Sequence, residues 1–334
     1  MKKIVKYSKS SKEYNKLKND FYNQEKKYLD NQKIIDRYYK KQPLRKFCKN
    51  CQRKILGYDL VISNIKYKFC KKCFHLNGYY QETDKFFKKI YTDKKGKNFS
   101  IGYKKNFFKS IKTIHLPKIK FLKSIIKHNF NLLDVGCGAG NLIAACEKLK
   151  INAVGIDLNK NLINYGSKHI RKNKLINLNH RETLEFIEKQ DFQCVSLINV
   201  LEHLLNPNEV IDSFLKSKSK YLFINVPLFS LASIFDGVFK NNFSRQIGAS
   251  HTHLYTKESL EFLFKRKKLK IIGELWYGLD FSDLKRYIYL NSIFYKKKTG
   301  MNIIDRYFGK NLEKFQAILD KNKLCSEVHM VLKK

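Results

Sequence analysis

Residues 132–140, Leu-Leu-Asp-Val-Gly-Cys-Gly-Ala-Gly, carry a short apolar run into three glycines at alternate positions, Gly136, Gly138 and Gly140. An apolar run of this length reads as a buried strand. The glycines after it let the chain turn with positive φ while its amides approach a ligand closely. A helical pattern opens at Asn141, so the segment is strand, sharp turn, helix. Asp157 ends the next apolar run, in Gly155-Ile-Asp-Leu-Asn159. A carboxylate at the tip of the neighbouring strand can accept hydrogen bonds from both hydroxyls of a ribose. Turn and acid together restrict the chain to an open α/β sheet with a nucleoside crevice at the carboxyl ends of its strands. The glycine spacing is G-x-G-x-G, and Asn141 stands near where the dinucleotide fingerprint G-x-G-x-x-G wants its last glycine, which argues against a nicotinamide cofactor.

Strand-length apolar runs then alternate with helical periodicity: 132–135, 153–156, 175–178, 194–199, 221–226 and 270–276, with a last run at 326–332 behind a helical stretch over 303–322. Such alternation implies βαβ units. The expected fold is α/β, a Rossmann-like sheet of seven strands. Upstream, Pro117 opens a helical stretch over 118–128, and 81–131 reads as helices joined by a turn around 94–97. In the polar first 45 residues Tyr14, Leu17, Phe21, Tyr28 and Ile35 recur at helical spacing, as in a solvated helix with a thin packing seam.

Two tight cysteine pairs, Cys48-x2-Cys51 and Cys70-x2-Cys73, are separated by 18 residues. This is four-cysteine zinc spacing, and a closed tetrahedral thiolate site of that kind is structural. So short a segment cannot bury a sufficient core, so metal binding should supply its folding energy. Cys137, Cys146, Cys194 and Cys325 are scattered through apolar stretches, as buried thiols of a reducing compartment are. Three units are expected: a basic helical extension over 1–45, the zinc module over 46–95, and an α/β domain over 96–334 with a helical insertion at about 281–322.

The 334-residue chain has a formal net charge of +39. That excess favours anionic partners, but the basic residues form no single block. A small anionic acceptor such as a nucleotide sugar is therefore expected ahead of nucleic acid. The basic N-terminus has no apolar signal-peptide core behind it, and the apolar stretch 221–239 is broken by Asn225, Pro227, Ser230, Ser233 and Asp236. A cytoplasmic protein without a transmembrane segment is expected.

With the first motif at 132–140, Asp157, and Ile198-Asn-Val-Leu-Glu-His-Leu204 after the fourth strand, the chain resembles the class I S-adenosylmethionine-dependent methyltransferases. The resemblance implies a cofactor site of Asp134 near the methionine amine, Gly136, Cys137, Gly138 and Gly140 in the turn, Asp157 and Leu158 at the ribose, Glu182 near the adenine amine, and Asn199 with Val200 over the methionine. It narrows to bacterial methyltransferases with an N-terminal zinc module from sugar and surface-polysaccharide modification, on the stretches 69–78, 226–230, 251–256 and 274–280. That implies methyl transfer to a sugar, nucleotide sugar or related metabolite.

Methyl transfer is an in-line displacement, so the enzyme chiefly positions the acceptor and removes its proton. His251 and His253 follow the fifth strand and precede Thr256, a helix N-cap, which makes them the first candidate bases. Glu202 and His203 form the second pair. Similar ubiquinone-pathway O-methyltransferases carry Glu-x-x-Glu-His with a divalent metal; Asn199 stands at the first position here, which points to packing under the cofactor instead. Arg245 and Arg286 are candidates for an acceptor phosphate or carboxylate. The rival class, an RNA methyltransferase gripping its substrate through the zinc module, lacks both the Pro-Pro-Tyr/Phe motif after the fourth strand and a Pro-Cys nucleophile.

Overall fold

The computed structural model describes residues 3–11, 24–91, 106–171, 174–239, 241–248, 251–294, 305–309 and 311–334. In chain order the strands are β1 (Ile4–Tyr7), β2 (Leu60–Ile62), β3 (Ile65–Phe69), β4 (Leu76–Gly78), β5 (Leu132–Val135), β6 (Ala153–Asp157), β7 (Leu175–Asn177), β8 (Cys194–Ile198), β9 (Tyr221–Pro227), β10 (His253–Leu254), β11 (Lys270–Tyr277) and β12 (Glu327–Lys333). The large sheet has the order β1-β11-β12-β9-β8-β5-β6-β7. Only β12 runs against its neighbours. The carboxyl ends of the other seven strands therefore share one edge, where an open α/β sheet binds its ligands.

Two apolar layers cover the faces. Ile119, Leu122 and Ile125 of the helix Leu116–Ile125 join Leu142 and Ile143 of the helix Asn141–Lys148 in one core. Ile211, Phe214, Leu260 and Phe264 line the other, against Leu133, Leu197 and Ile224. Strands covered on both faces read as unbroken apolar runs, which is why β5 to β9 stand within a residue of their expected limits.

Three expectations need correction. Among the described residues the sheet has eight strands, because β1 adds a parallel edge strand beside β11 with Ile4 opposite Gly273. The polar N-terminal segment is thus a strand before it is a helix; the helix Glu25–Tyr39 carries Tyr28 and Ile35, while Tyr14, Leu17, Phe21 and the turn at 94–97 lie outside the described residues. The four-cysteine module is also not closed within 46–95. Its antiparallel sheet, β10-β4-β3-β2, takes β10 from beyond β9, with His253 opposite Asn77 and Leu254 opposite Leu76. Tyr39 from the N-terminal helix completes its core with Ile62, Ile65, Tyr67, Leu76 and Leu254. Among the described residues no helix is long and apolar enough to cross a membrane.

Candidate active site

All three turn glycines are left-handed, with φ of 73°, 57° and 77° at Gly136, Gly138 and Gly140. At Gly136 a side chain is excluded twice, by φ and because a Cβ there would meet Val200 Cγ2 at 2.6 Å. Gly136 N and Cys137 N both donate to Ile156 O, at 2.8 and 3.0 Å, which anchors the turn to β6. Asp157 completes the anchor: Oδ2 accepts from Gly138 N at 2.8 Å and Oδ1 from Asn159 N at 2.7 Å. Each oxygen keeps a second lone pair. Burial raises the Asp157 carboxyl above its ordinary range, opposed by those two amides. Asn199, next to β8, is also left-handed at φ 55°, a conformation asparagine tolerates better than most residues. Leu158 is half-buried beside Asp157, and the Cys137 thiol is buried against Gly155.

Glu182 has a local role. It is the third residue of the helix His180–Lys189, where Oε2 accepts from Asn179 N at 2.8 Å and its own N–H donates to Asn179 Oδ1. This is a capping box on an exposed helix start. The loose match to an adenine contact takes no account of that engagement.

Beneath the turn stand two opposite buried charges. β5–β8 pairing sets Asp134 opposite Ser196, whose Oγ donates to Asp134 Oδ1 at 2.7 Å. Burial pushes the Asp134 carboxyl up to about 7. Lys118, 4% exposed, donates to Asn225 Oδ1 at 2.6 Å and grazes Asn199 Oδ1 at 3.5 Å. Burial brings its ammonium down to about 8. The two feel each other's charge, yet no ion pair joins them. Glu327 acts on the Lys118 ammonium more than Asp134 does, but the hydrogen-bond partners of both groups are neutral, and an acid and an amine so placed suit a zwitterion held between them. Sequence reasoning missed Lys118. Its signal was spacing: Lys118, Leu122 and Ile125 fall at i, i+4 and i+7, a lysine on the apolar stripe of its helix.

A third group gathers Glu202, His203 and His251, with one donor atom from each all within 4.8 Å of one another. Glu202 is fully buried, with a backbone amide and the Asn199 side chain opposing the effect of burial on its carboxyl. Burial pushes its carboxyl up to about 8. His203 Nε2 lies 3.9 Å from Glu202 Oε1, and His203 Nδ1 bonds the Tyr91 hydroxyl at 2.7 Å. The His203 and His251 rings are 4.8 Å apart between centroids. His251 Nδ1 lies 2.8 Å from Gln246 O. A carbonyl only accepts, so the proton sits on Nδ1 and Nε2 is the basic nitrogen.

His253 is not part of this group. It points into the small sheet, fully buried, with Nδ1 2.9 Å from His75 Nε2. His251 lies before β10, outside the residues that pair with β4, His253 and Leu254. Arg245 and Arg286 are also committed elsewhere: Arg245 Nε to Asp283 Oδ1 at 2.9 Å, and Arg286 to Glu25 Oε2 at 3.1 Å and Phe243 O at 3.0 Å. Both sit in a buried ionic network, so the expected acceptor-anion role is withdrawn.

Cys48, Cys51, Cys70 and Cys73 converge with their sulfurs within 4.8 Å of one another. Cys48 Sγ to Cys73 Sγ is 3.6 Å and Cys51 Sγ to Cys70 Sγ is 3.5 Å. Zinc bonds of about 2.3 Å set tetrahedrally imply sulfur separations of about 3.8 Å, so the donor set fits zinc. The two pairs are built alike. Gln52 N donates to Cys48 O and Phe74 N to Cys70 O, and both Gln52 and Phe74 are left-handed, at φ 60° and 56°. Asn77 Nδ2 adds a donor to Cys48 Sγ at 3.5 Å.

The family profile described as "Methyltransferase domain" matches residues 84–273. Curated relatives include the ubiquinone biosynthesis O-methyltransferases of Pelagibacter ubique (strain HTCC1062), 31% identical over 128 residues, 34% of this chain and 52% of the relative, and of Coxiella burnetii (strain Dugway 5J108-111), 30% identical over 108 residues, 30% of this chain and 46% of the relative. The chain thus spans about half the length of these relatives. Similar solved structures include a SAM-dependent methyltransferase from Archaeoglobus fulgidus, with TM-score 0.42 and 19% identity over 71% of this chain and 99% of that one. The plantazolicin methyltransferase BamL, in complex with a triazolic desmethylPZN analogue and SAH, has TM-score 0.46 and 16% identity over 74% of this chain and 94% of that one.

Proposed function

The chain belongs to the methyltransferase-domain family, and on that premise we propose that it transfers the methyl group of S-adenosylmethionine to a hydroxyl of a small metabolite. The observation that carries the cofactor reading is the separated buried pair, Asp134 and Lys118, beneath the left-handed glycine turn. Asp134 would take the methionine ammonium, Lys118 its carboxylate, and Asp157 the two ribose hydroxyls through its remaining lone pairs. Gly136, without a side chain, lets Val200 pack directly on the turn. When bound, the cofactor supplies an electrophilic methyl on a sulfonium.

Proton removal from the acceptor falls to His251, its Nε2 made basic by the Gln246 carbonyl. His203, tied to Tyr91 and facing Glu202, lies alongside as the second acid–base group. Holding base and acceptor in attack geometry is the main catalytic contribution such a site can make. The four cysteines hold a structural zinc ion.

For the acceptor we propose a sugar or nucleotide sugar, on the zinc-module stretches at 69–78 and 251–256. A second acceptor class, the small molecules of ubiquinone biosynthesis, is favoured by the names of the curated relatives. Incubating the protein with methyl-labelled cofactor and separate panels of nucleotide sugars, phenols and short RNAs tests all of these. Label on a small hydroxyl compound, abolished by His251→Ala, is expected. Label on RNA alone would replace this reading.

A further inference from the structure

We infer that Lys49 and Glu82 are positioning residues that tie the four-cysteine site to the two segments bearing His203 and His251, so that the metal site is a working part of the acceptor side. The inference rests on the acid–base reading of those histidines. It starts from where Lys49 and Asn50 stand: they are the two residues between Cys48 and Cys51, so the metal fixes their backbone.

Both are held against the α/β domain. Lys49 Nζ donates to Leu204 O at 2.8 Å, immediately after His203. Asn208 Nδ2 donates to Lys49 O at 3.1 Å, Asn50 Nδ2 to Ser259 O at 2.8 Å, and Arg266 Nη2 to Asn50 O at 2.7 Å. The same ammonium reaches Glu82 Oε1 at 3.1 Å. Glu82 is the hub. Its Oε2 accepts from Arg45 Nη2 at 2.6 Å, and its Oε1 accepts from the hydroxyl of Thr252, the residue between His251 and His253. One carboxylate thus joins the metal knuckle to the 251–253 segment, and one ammonium joins that carboxylate to the 202–204 segment.

The hub is built as a unit. The Arg45, Lys49 and Glu82 side chains are 4%, 5% and 7% exposed, so water cannot take the place of a lost partner. Lysine and arginine together hold the Glu82 carboxyl at about 2, so it stays ionised. If the cysteines lose their metal, the backbone at 49–50 is released and both anchor bonds go slack together.

The test uses the full-length, zinc-loaded chain and compares wild type, Lys49→Met, Lys49→Arg and Glu82→Gln. Metal analysis, calorimetry with S-adenosylhomocysteine, amide hydrogen exchange and turnover are read on each. Lys49→Met is expected to keep its zinc and its cofactor affinity within about twofold, while exchange at 200–206 and 251–255 speeds up about tenfold and 132–140 stays protected. On an acceptor that the wild type methylates, kcat should fall about 10- to 100-fold at little-changed KM, because only attack geometry is disturbed. Lys49→Arg should restore most of both, since its guanidinium can reach Leu204 O and Glu82. Chelation of the wild type should reproduce the exchange pattern. If Lys49→Met loses zinc, Glu82→Gln, which keeps a neutral acceptor at the hub, carries the same comparison. Unchanged exchange in both segments, or a rise shared equally by 132–140, overturns the inference whether or not an acceptor is known. Altered exchange together with an active His251→Ala enzyme would instead indict the acid–base reading and leave the coupling standing.

Discussion

Replacing Asp157 by alanine separates its two tasks, and the structure sets the size of each. In the free protein the carboxylate accepts only from Gly138 N and Asn159 N. Gly138 is buried and Asn159 half-buried, so losing both acceptors should lower stability by about 1–3 kcal/mol. The second lone pair of each oxygen is left for a ribose hydroxyl. Hydrogen bonds to a charged group contribute about 1.5–3 kcal/mol each, so two of them are worth about 3–6 kcal/mol. At about 1.4 kcal/mol per tenfold, affinity for S-adenosylhomocysteine should fall roughly 10²- to 10⁴-fold. Calorimetric titration reads the affinity, and thermal unfolding in the same buffer reads the fold. Asp157→Asn, which keeps one acceptor oxygen and loses the charge, should unfold closer to wild type yet still bind weakly. A folded Asp157→Ala protein with wild-type affinity would refute the ribose assignment and leave Asp157 as a staple of the turn.

Other consequences follow from the same structure. Lys118→Met and Asp134→Asn should each weaken S-adenosylhomocysteine binding by about 10- to 100-fold, the worth of one charged hydrogen bond, with adenosine binding little affected in calorimetry. Stripping the metal with a chelator should loosen the cysteine site first, seen as protease cutting within 46–80 while 132–198 stays intact, because around the four thiols only Ile55 and the partly buried Phe262 remain to hold it. Glu202 is protonated in the fold up to about 8 against an ordinary 4.5, so it binds more protons folded than unfolded in that window and stability falls as pH rises through it. Asp134 and Asp236, both raised to about 7, act in the same sense. Chemical denaturation at pH 5 and pH 8 should therefore show a smaller stability loss in Glu202→Gln than in wild type; equal losses would show that Glu202 does not titrate there.

The catalytic fold was legible because its strands are buried on both faces and their apolar runs end at residues with clear jobs, Gly136 after β5 and Asp157 at the tip of β6. The cysteine pairs were legible for a similar reason: metal geometry leaves little freedom in spacing. The rest follows weaker rules. β10 is two residues long and β2 three, too short for a period to register, so nothing in the chain announced that 253–254 completes the small sheet of the four-cysteine module. β1 carries Lys6 and lies at an edge, where one side of the ladder stays open and the apolar demand relaxes. The β10–β4 pairing sets His253 against His75, a tertiary contact beyond the reach of local pattern. Lys118 and Glu82 were hidden by number, two charged residues in a chain with 68 Lys+Arg and 29 Asp+Glu. Burial sets both apart, and only Lys118 had a local sign of it, its place on the apolar stripe of its helix.

The most direct measurement is a crystal structure of the wild-type protein grown with S-adenosylhomocysteine. The account predicts density at the carboxyl edge of β5 and β6, with the ribose hydroxyls on Asp157, the amine on Asp134 and the carboxylate on Lys118. An empty crevice at saturating ligand, or a ligand whose amino acid end lies away from Asp134 and Lys118, would contradict it.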